Sequence, residues 1–167
     1  MDRQSKGCIL FDWGDTLMRD STSFRGPMKD WPTVEAMPGA LETLEALHPD
    51  WSLALATNAE ASTEDDIWAA LRRSGLDREL DKVYCFKKIG HKKPSVEFFQ
   101  YILEDLGLTP DRIVMVGDAY ENDVLGANRC GMRAIWFNWQ TTEIREDKLH
   151  RTVHKLVDIP AILKAGK

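Results

Sequence analysis

The sequence predicts an α/β three-layer sandwich with a mainly parallel five-stranded sheet and no large cap domain. Three observations lead there. Apolar runs of strand length alternate with amphipathic stretches of helix length along the chain. Such alternation implies right-handed crossovers, and hence a parallel sheet covered on both faces. The 167 residues are 43% hydrophobic and 29% charged, which suits one globular domain with a full core.

The elements follow in order. Residues 7–12, GCILFD, are too few for a helix and run into a turn, so they form the first strand. Residues 21–39 carry Gly26, Pro27, Pro32, Pro38 and Gly39, which break any period, and form a loop. Leu41, Leu44 and Leu47 share one face of a helix over 40–48, stopped by Pro49 and Asp50. Residues 51–58, WSLALATN, are the second strand. The helix over 62–75 is well marked: cap-forming residues and acids open it, Arg72 and Arg73 lie in its last turn, and Gly75 ends it. Residues 82–86 are the third strand, and a helix over 95–107 starts after Pro94 and stops at Gly107. Residues 112–118, RIVMVGD, are the fourth strand. A short helix over 121–131 and the fifth strand over 132–138 follow, with a short strand-like piece and a last helical turn within 155–166.

Composition excludes some functions. A net charge of −5 argues against a general binder of nucleic acid or of anionic membranes. The most basic stretch, FKKIGHKK over 86–93, is short. Cys8, Cys85 and Cys130 are odd in number and share no metal-ligand spacing, which fits reduced structural thiols in a cytoplasmic protein. The opening MDRQSKG is polar, and the apolar run after it is too short to span a membrane. Neither a repeat nor a low-complexity segment occurs.

In a parallel α/β sheet, ligands bind outside the carboxyl ends of the strands. Those ends carry Asp12, Thr57 with Asn58, and Gly117 with Asp118; Lys93 lies on the loop after the third strand. Taken singly, each has an ordinary explanation: a turn aspartate, a polar turn, a solvated lysine. Together at one rim, two carboxylates suit a hard cation such as Mg2+, and a hydroxyl and an ammonium would complete a site for phosphoryl transfer.

Four motifs in order carry a family resemblance: DWGDTL over 12–17, LATN over 55–58, KKP over 92–94 and GDAYEND over 117–123. With them the chain resembles the haloacid dehalogenase-like (HAD) superfamily of hydrolases, over about residues 7 to 138. The resemblance implies a Rossmann-like fold and a Mg2+-dependent phosphatase. It implies that Asp12 is the nucleophile and forms an aspartyl-phosphate, and that Thr57, Asn58 and Lys93 bind the phosphate. Asp12, Asp118 and the backbone carbonyl of Gly14 would hold the metal, with Asp123 supporting them.

The motifs depart from the family at one place. The usual second aspartate, which moves protons, is Gly14, and the carboxylate stands at Asp15 instead. Losing a general acid–base costs roughly 10²–10⁴ in rate. Asp15 could serve if the turn is remodelled, or it could cap the turn locally. The alternative function is then a phosphate-binding or regulatory protein with weak catalysis. Dehalogenases and phosphonate-cleaving relatives also lack that aspartate, but a dehalogenase needs no metal and the phosphonate-cleaving type uses a cap lysine. Retention of Asp118 and Asp123, and gaps too short for a cap, favour a capless phosphatase with a small flap over about 16–38. An open site admits a phosphorylated macromolecule, or a phosphorylated small molecule closed in by a partner such as a second copy in a homodimer. Trp13 is expected only to pack, Trp136 to lie in the core and Trp139 at the surface.

Overall fold

In the computed structural model, which describes residues 6–165, the strands converge on one sheet. The first five residues of the polar opening and the final two residues lie outside that range. In chain order the elements are β1 (Cys8–Phe11), α1 (Ala40–Leu47), β2 (Ser52–Thr57), α2 (Glu64–Ser74), β3 (Lys82–Cys85), α3 (Phe86–Ile89) and α4 (Val96–Leu106). There follow β4 (Ile113–Gly117), a π-helical turn (Tyr120–Leu125), α5 (Gly126–Arg129), β5 (Arg133–Phe137), β6 (His150–Val153) and α6 (Ile159–Ala165). The strands lie in the order β3-β2-β1-β4-β5-β6, and every pairing is parallel.

Strand periodicity divides the core into two layers. Ile9, Phe11, Leu53, Leu55, Val114 and Val116 face α1, α2 and α6. Their neighbours Cys8, Leu10, Ala54, Ala56 and Met115 face α4 and α5 on the other side. Successive strand residues point to opposite faces, so runs apolar at every position are what a sheet covered on both sides requires. The α/β sandwich is therefore as expected, with one correction: the sheet has six strands, not five. His150–Val153 pairs beside β5 through Ala134 and His150 to Phe137 and Val153.

Smaller corrections have local causes. Leu41 is 40% exposed, and α1 instead buries Ala40, Thr43, Leu44 and Leu47. The helix expected over 121–131 is a π-helical turn leading into a single α-helical turn. Residues 86–89, the start of the basic stretch, form α3 rather than loop. The helix marked in the sequence over 62–75 is α2: Thr63 and Asp66 form a reciprocal capping box at its start, and Gly75 ends it in the left-handed region. No helix among the described residues is long and apolar enough to cross a membrane.

Between β1 and α1 the chain forms a strap rather than a second folding unit. Met18 bridges both Gly14 and Ala36, a 3-10 turn spans Met28–Asp30, and Phe24 packs on Trp31. Arg73 on α2 donates to the carbonyls of Lys29 and Trp31 at 2.8 and 2.7 Å, pinning the strap beside the carboxyl ends of the strands.

Candidate active site

The strand order reverses direction between β1 and β4, and such a switch point opens a crevice at the carboxyl ends. Asp12 follows β1 and Asp118 follows β4, and these strands are hydrogen-bonded neighbours. The Asp12 amide donates to the Val116 carbonyl at 2.9 Å, extending that pairing one residue and fixing where its carboxylate starts. The π-helical turn brings in Asp123, whose Oδ2 accepts from the Ala119 amide at 3.0 Å. A π turn widens a helix by one residue per turn and is often found where a side chain must be aimed.

Lys93 ties these acids together. Its ammonium donates to Asp12 Oδ1 at 2.9 Å and to Asp123 Oδ1 at 2.6 Å, with its side chain only 2% exposed. Asn58 holds the lysine in place from behind: its amide NH2 donates to the Lys93 carbonyl and its oxygen accepts from the Lys93 amide, both at 2.8 Å. Thr16 links the two strand-end acids. Its hydroxyl lies 3.4 Å from Asp12 Oδ2 and 3.2 Å from Asp118 Oδ1, and it accepts from the Asp118 amide at 3.2 Å. Thr57, at the end of β2, accepts from the Ala59 amide at 3.1 Å, which leaves its own O–H to donate elsewhere.

Burial and charge work against each other here. Burial alone would lower the Lys93 pKa, but the charges of Asp12 and Asp123 outweigh it and hold the ammonium firmly protonated. Burial, and then the charge of Asp12, push the Asp118 carboxyl above its ordinary range. The same two causes raise Asp123 despite the opposing pull of Lys93. Oxygens of Asp12, Asp118 and Asp123 all lie within 4.8 Å of one another. Three crowded carboxylates with a single ammonium carry surplus negative charge, and an all-oxygen donor set suits a hard divalent cation such as Mg2+. The residues present therefore fit the metal that the motifs imply.

A cleft of about 370 Å³ opens from this cluster, lined by Asp12, Trp13, Gly14, Asp20, Met28 and Trp31 from the strap side and by Thr57 to Ser62 opposite. A larger groove of about 480 Å³ lies at the other rim, between the starts of β5 and β6 and the end of α6, and holds none of the acidic cluster.

The family profile described as haloacid dehalogenase-like hydrolase matches residues 12–137, spanning the whole of this constellation. The chain belongs to that family. It is 36% identical over 84 residues to a glyceraldehyde 3-phosphate phosphatase of Methanothermobacter thermautotrophicus, covering 50% of this chain and 37% of the relative. It is 33% identical over 104 residues to the pyrimidine 5'-nucleotidase YjjG of Escherichia coli, covering 61% of this chain and 44% of the relative. The chain thus spans less than half the length of these two relatives. Among solved structures, an uncharacterized protein from Listeria monocytogenes serotype 4b superposes with a TM-score of 0.84 at 26% identity, covering 95% of this chain and 97% of that one.

Within this haloacid dehalogenase-like hydrolase, the structure brings Asp12, Thr57, Lys93, Asp118 and Asp123 to one rim. Gly14 lines the same cleft. Asn58 sits differently from expectation, and Asp15 takes the turn-capping one of its two alternatives. Asn58 commits both ends of its side chain to the Lys93 backbone, so its amide positions the lysine. Asp15 lies in the left-handed region with φ of 58°, and its Oδ1 accepts from the Asp20 amide at 3.1 Å. Its carboxylate braces the turn. Aspartate tolerates that backbone better than most residues, which suits it to the position.

Two residues, Thr16 and Asp20, went unnoticed in the sequence, and Trp13 does more than the packing expected of it. Thr16 stands inside the first motif, four residues after Asp12, which was the available signal; its contact with Asp118 spans 102 residues and appears only in the fold. Asp20 and the Gly14 backbone meet only when the turn closes, so no spacing announced them. Trp13 is buried as expected, yet it also lines the cleft, and its indole N–H has no hydrogen-bond partner among the described residues. Among the basic residues of 86–93, Lys93 alone reaches the acidic cluster; Lys88 pairs with Glu64 and Lys92 with Glu60. Trp136 is buried and Trp139 is 38% exposed, as expected. Cys8 and Cys85 are buried free thiols, and burial pushes the Cys8 thiol up to about 12.

Proposed function

We propose that this protein is a phosphoric monoester hydrolase in which Asp12 takes the phosphoryl group as an aspartyl-phosphate, with Mg2+ as its cofactor. One observation carries the reading: a buried ammonium bridges Asp12 and Asp123 at 2.9 and 2.6 Å, with Asp118 in the same cluster. Lys93 aims one Asp12 oxygen, while Thr16 steadies the other. The attacking oxygen is thereby fixed before substrate arrives, which lowers the cost of orientation. Thr57 donates its hydroxyl to a phosphoryl oxygen, and Lys93 offsets negative charge as the group transfers.

Asp12, Asp118 and the Gly14 carbonyl would hold the Mg2+, with Asp123 supporting the cluster through Lys93. When bound, the cation supplies neutralisation of the phosphoryl oxygens. The relatives named as a phosphatase and a nucleotidase support a phosphate monoester as substrate. The cleft, walled by Trp13, Met28 and Trp31, favours a phosphorylated small molecule over a macromolecule.

The test is turnover of an aryl phosphate with Mg2+. Asp12→Asn should lose at least about a thousandfold in kcat/KM, as removal of a nucleophile typically does. Equal turnover by both proteins overturns the reading. The brace position of Asp15 favours a second reading, a phosphate-binding protein with weak catalysis. That reading predicts a phosphorylated Asp12 that persists for many minutes in the unaltered protein.

A further inference from the structure

An alkyl phosphate cannot lose its alcohol readily without a proton, and an aspartyl-phosphate is hydrolysed faster when a base takes a proton from the attacking water. The carboxylates around the cleft can be taken in turn. Asp12 is the attacking group in the proposed reaction. Asp118 and Asp123 sit in the crowded cluster with Lys93 and Thr16. Asp15 faces the Asp20 amide, and Glu60 is paired with Lys92. Asp20 remains.

Its geometry is specific. One oxygen, Oδ1, accepts from the Ser21 amide at 2.8 Å, which sets the plane of the carboxylate. The other, Oδ2, lies 3.1 Å from the point a Cβ on Gly14 would occupy, with Asp20 Cβ and Cγ at 3.2 Å. Gly14 has no positive φ, so its backbone alone does not demand glycine. The Asp20 side chain fills the space in which a side chain at position 14 would begin. Asp12, Gly14 and Asp20 line one cleft.

We propose that Asp20 is the general acid–base of the reaction, reaching over Gly14 from the strap, and that Asp15 is the positioning residue that holds it there. The proposal rests on Asp12 being the nucleophile. In the first step an Asp12 oxygen bonds to phosphorus, the bond from phosphorus to the leaving oxygen breaks, and that oxygen takes the proton of Asp20. In the second, Asp20 takes one proton of a water whose oxygen bonds to phosphorus. The bond from phosphorus to Asp12 breaks, releasing phosphate and restoring both carboxyl groups.

Radiolabelled acetyl phosphate with Mg2+ separates the steps, because acetate leaves without a proton. In acid-quenched time courses, the unaltered protein and Asp20→Asn should label Asp12 at similar rates, while Asp12→Asn takes no label. Breakdown of the label should be at least about 10²-fold slower in Asp20→Asn. Asparagine keeps the Ser21 contact, so the turn stays formed. Breakdown within threefold of the unaltered rate overturns the role of Asp20 and leaves the nucleophile standing. Absence of label on the unaltered protein overturns the nucleophile and this proposal with it.

Two further variants distinguish chemistry from support. Asp20→Ala should be as slow as Asp20→Asn, and adding Gly14→Asp to it should return breakdown to within about tenfold, since the carboxyl then rises from the vacated space. No recovery in a folded double variant counts against the proposal. Asp15→Gly keeps the left-handed backbone but removes the brace. It should slow breakdown roughly tenfold with label formation unchanged, as loosened positioning does; an equal slowing of both steps would mean a general disturbance of the turn and overturn the assignment to Asp15.

Discussion

Lys93 sets the terms of the site at the level of single residues. A buried ammonium is tolerated only with opposite charges against it, and two buried carboxylates side by side are tolerated only with a cation between them. Lys93, Asp12 and Asp123 therefore stabilise one another, and removing the lysine should expose the conflict. Lys93→Met preserves the stem length but leaves Asp12 and Asp123 facing each other. In EDTA the variant should lose about 3–5 kcal/mol of stability, the usual cost of breaking a buried pair. Urea denaturation measures this directly, and added Mg2+ should return part of the loss. An unchanged midpoint in EDTA would show that the bridge contributes no stability. KKP taken singly reads as a solvated lysine, and the ammonium's role was legible only from the four motifs in order. Its double attachment was not, because the second partner comes from a turn thirty residues further along the chain.

Among the elements, the junction of β4 with the π-helical turn decides whether the cluster forms. Gly117 ends β4, and a Cβ there would land on the Asp123 carboxylate. The glycine is needed for that close approach, since its φ is not in the left-handed region. Gly117→Ala should push Asp123 off the Ala119 amide and away from Lys93. The expected results are weaker Mg2+ binding by calorimetry, by roughly tenfold or more as for lost supporting contacts around a metal, and a lower melting temperature. Mg2+ affinity equal to that of the unaltered protein would mean that Asp123 does not shape the metal site. GDAYEND announced a polar turn with three acids, and a helix of ordinary period was the natural inference from it. The π geometry depends on seating Asp123 against a glycine on the preceding strand, which periodicity within the segment does not encode.

At the scale of the whole molecule, what the sequence disclosed followed from burial. β1, β2 and β4 are apolar at almost every position because both faces are covered, so their limits and the acids just past them could be read directly. β6 escaped because it is an edge strand with polar residues: in HRTV only His150 and Val153 are buried, a pattern too weak to mark a strand. The rim opposite the site carries a different kind of tie. His48, just past α1, meets Glu79 at 3.0 Å and Asp81 at 3.2 Å, and Asp81 also accepts from the Leu53 amide and the Ser52 hydroxyl. One helix and the starts of two strands are joined through this imidazole. Partial burial by itself would lower its pKa, but Asp81 and Glu79 outweigh that and raise it above the ordinary 6.5. Because the folded value exceeds the unfolded one, the stabilisation is complete below about pH 6.5 and fades as pH rises through the higher folded value. Crowded Asp118 and Asp123 also weaken the metal-free fold as pH rises, so the imidazole must be isolated by difference. Urea midpoints of the unaltered protein and of His48→Gln, compared in EDTA, should differ most near pH 6 and converge by about pH 9, where the imidazole is neutral in either state. A gap that stays constant across that range would mean that His48 contributes through packing alone, and that its charge ties nothing together.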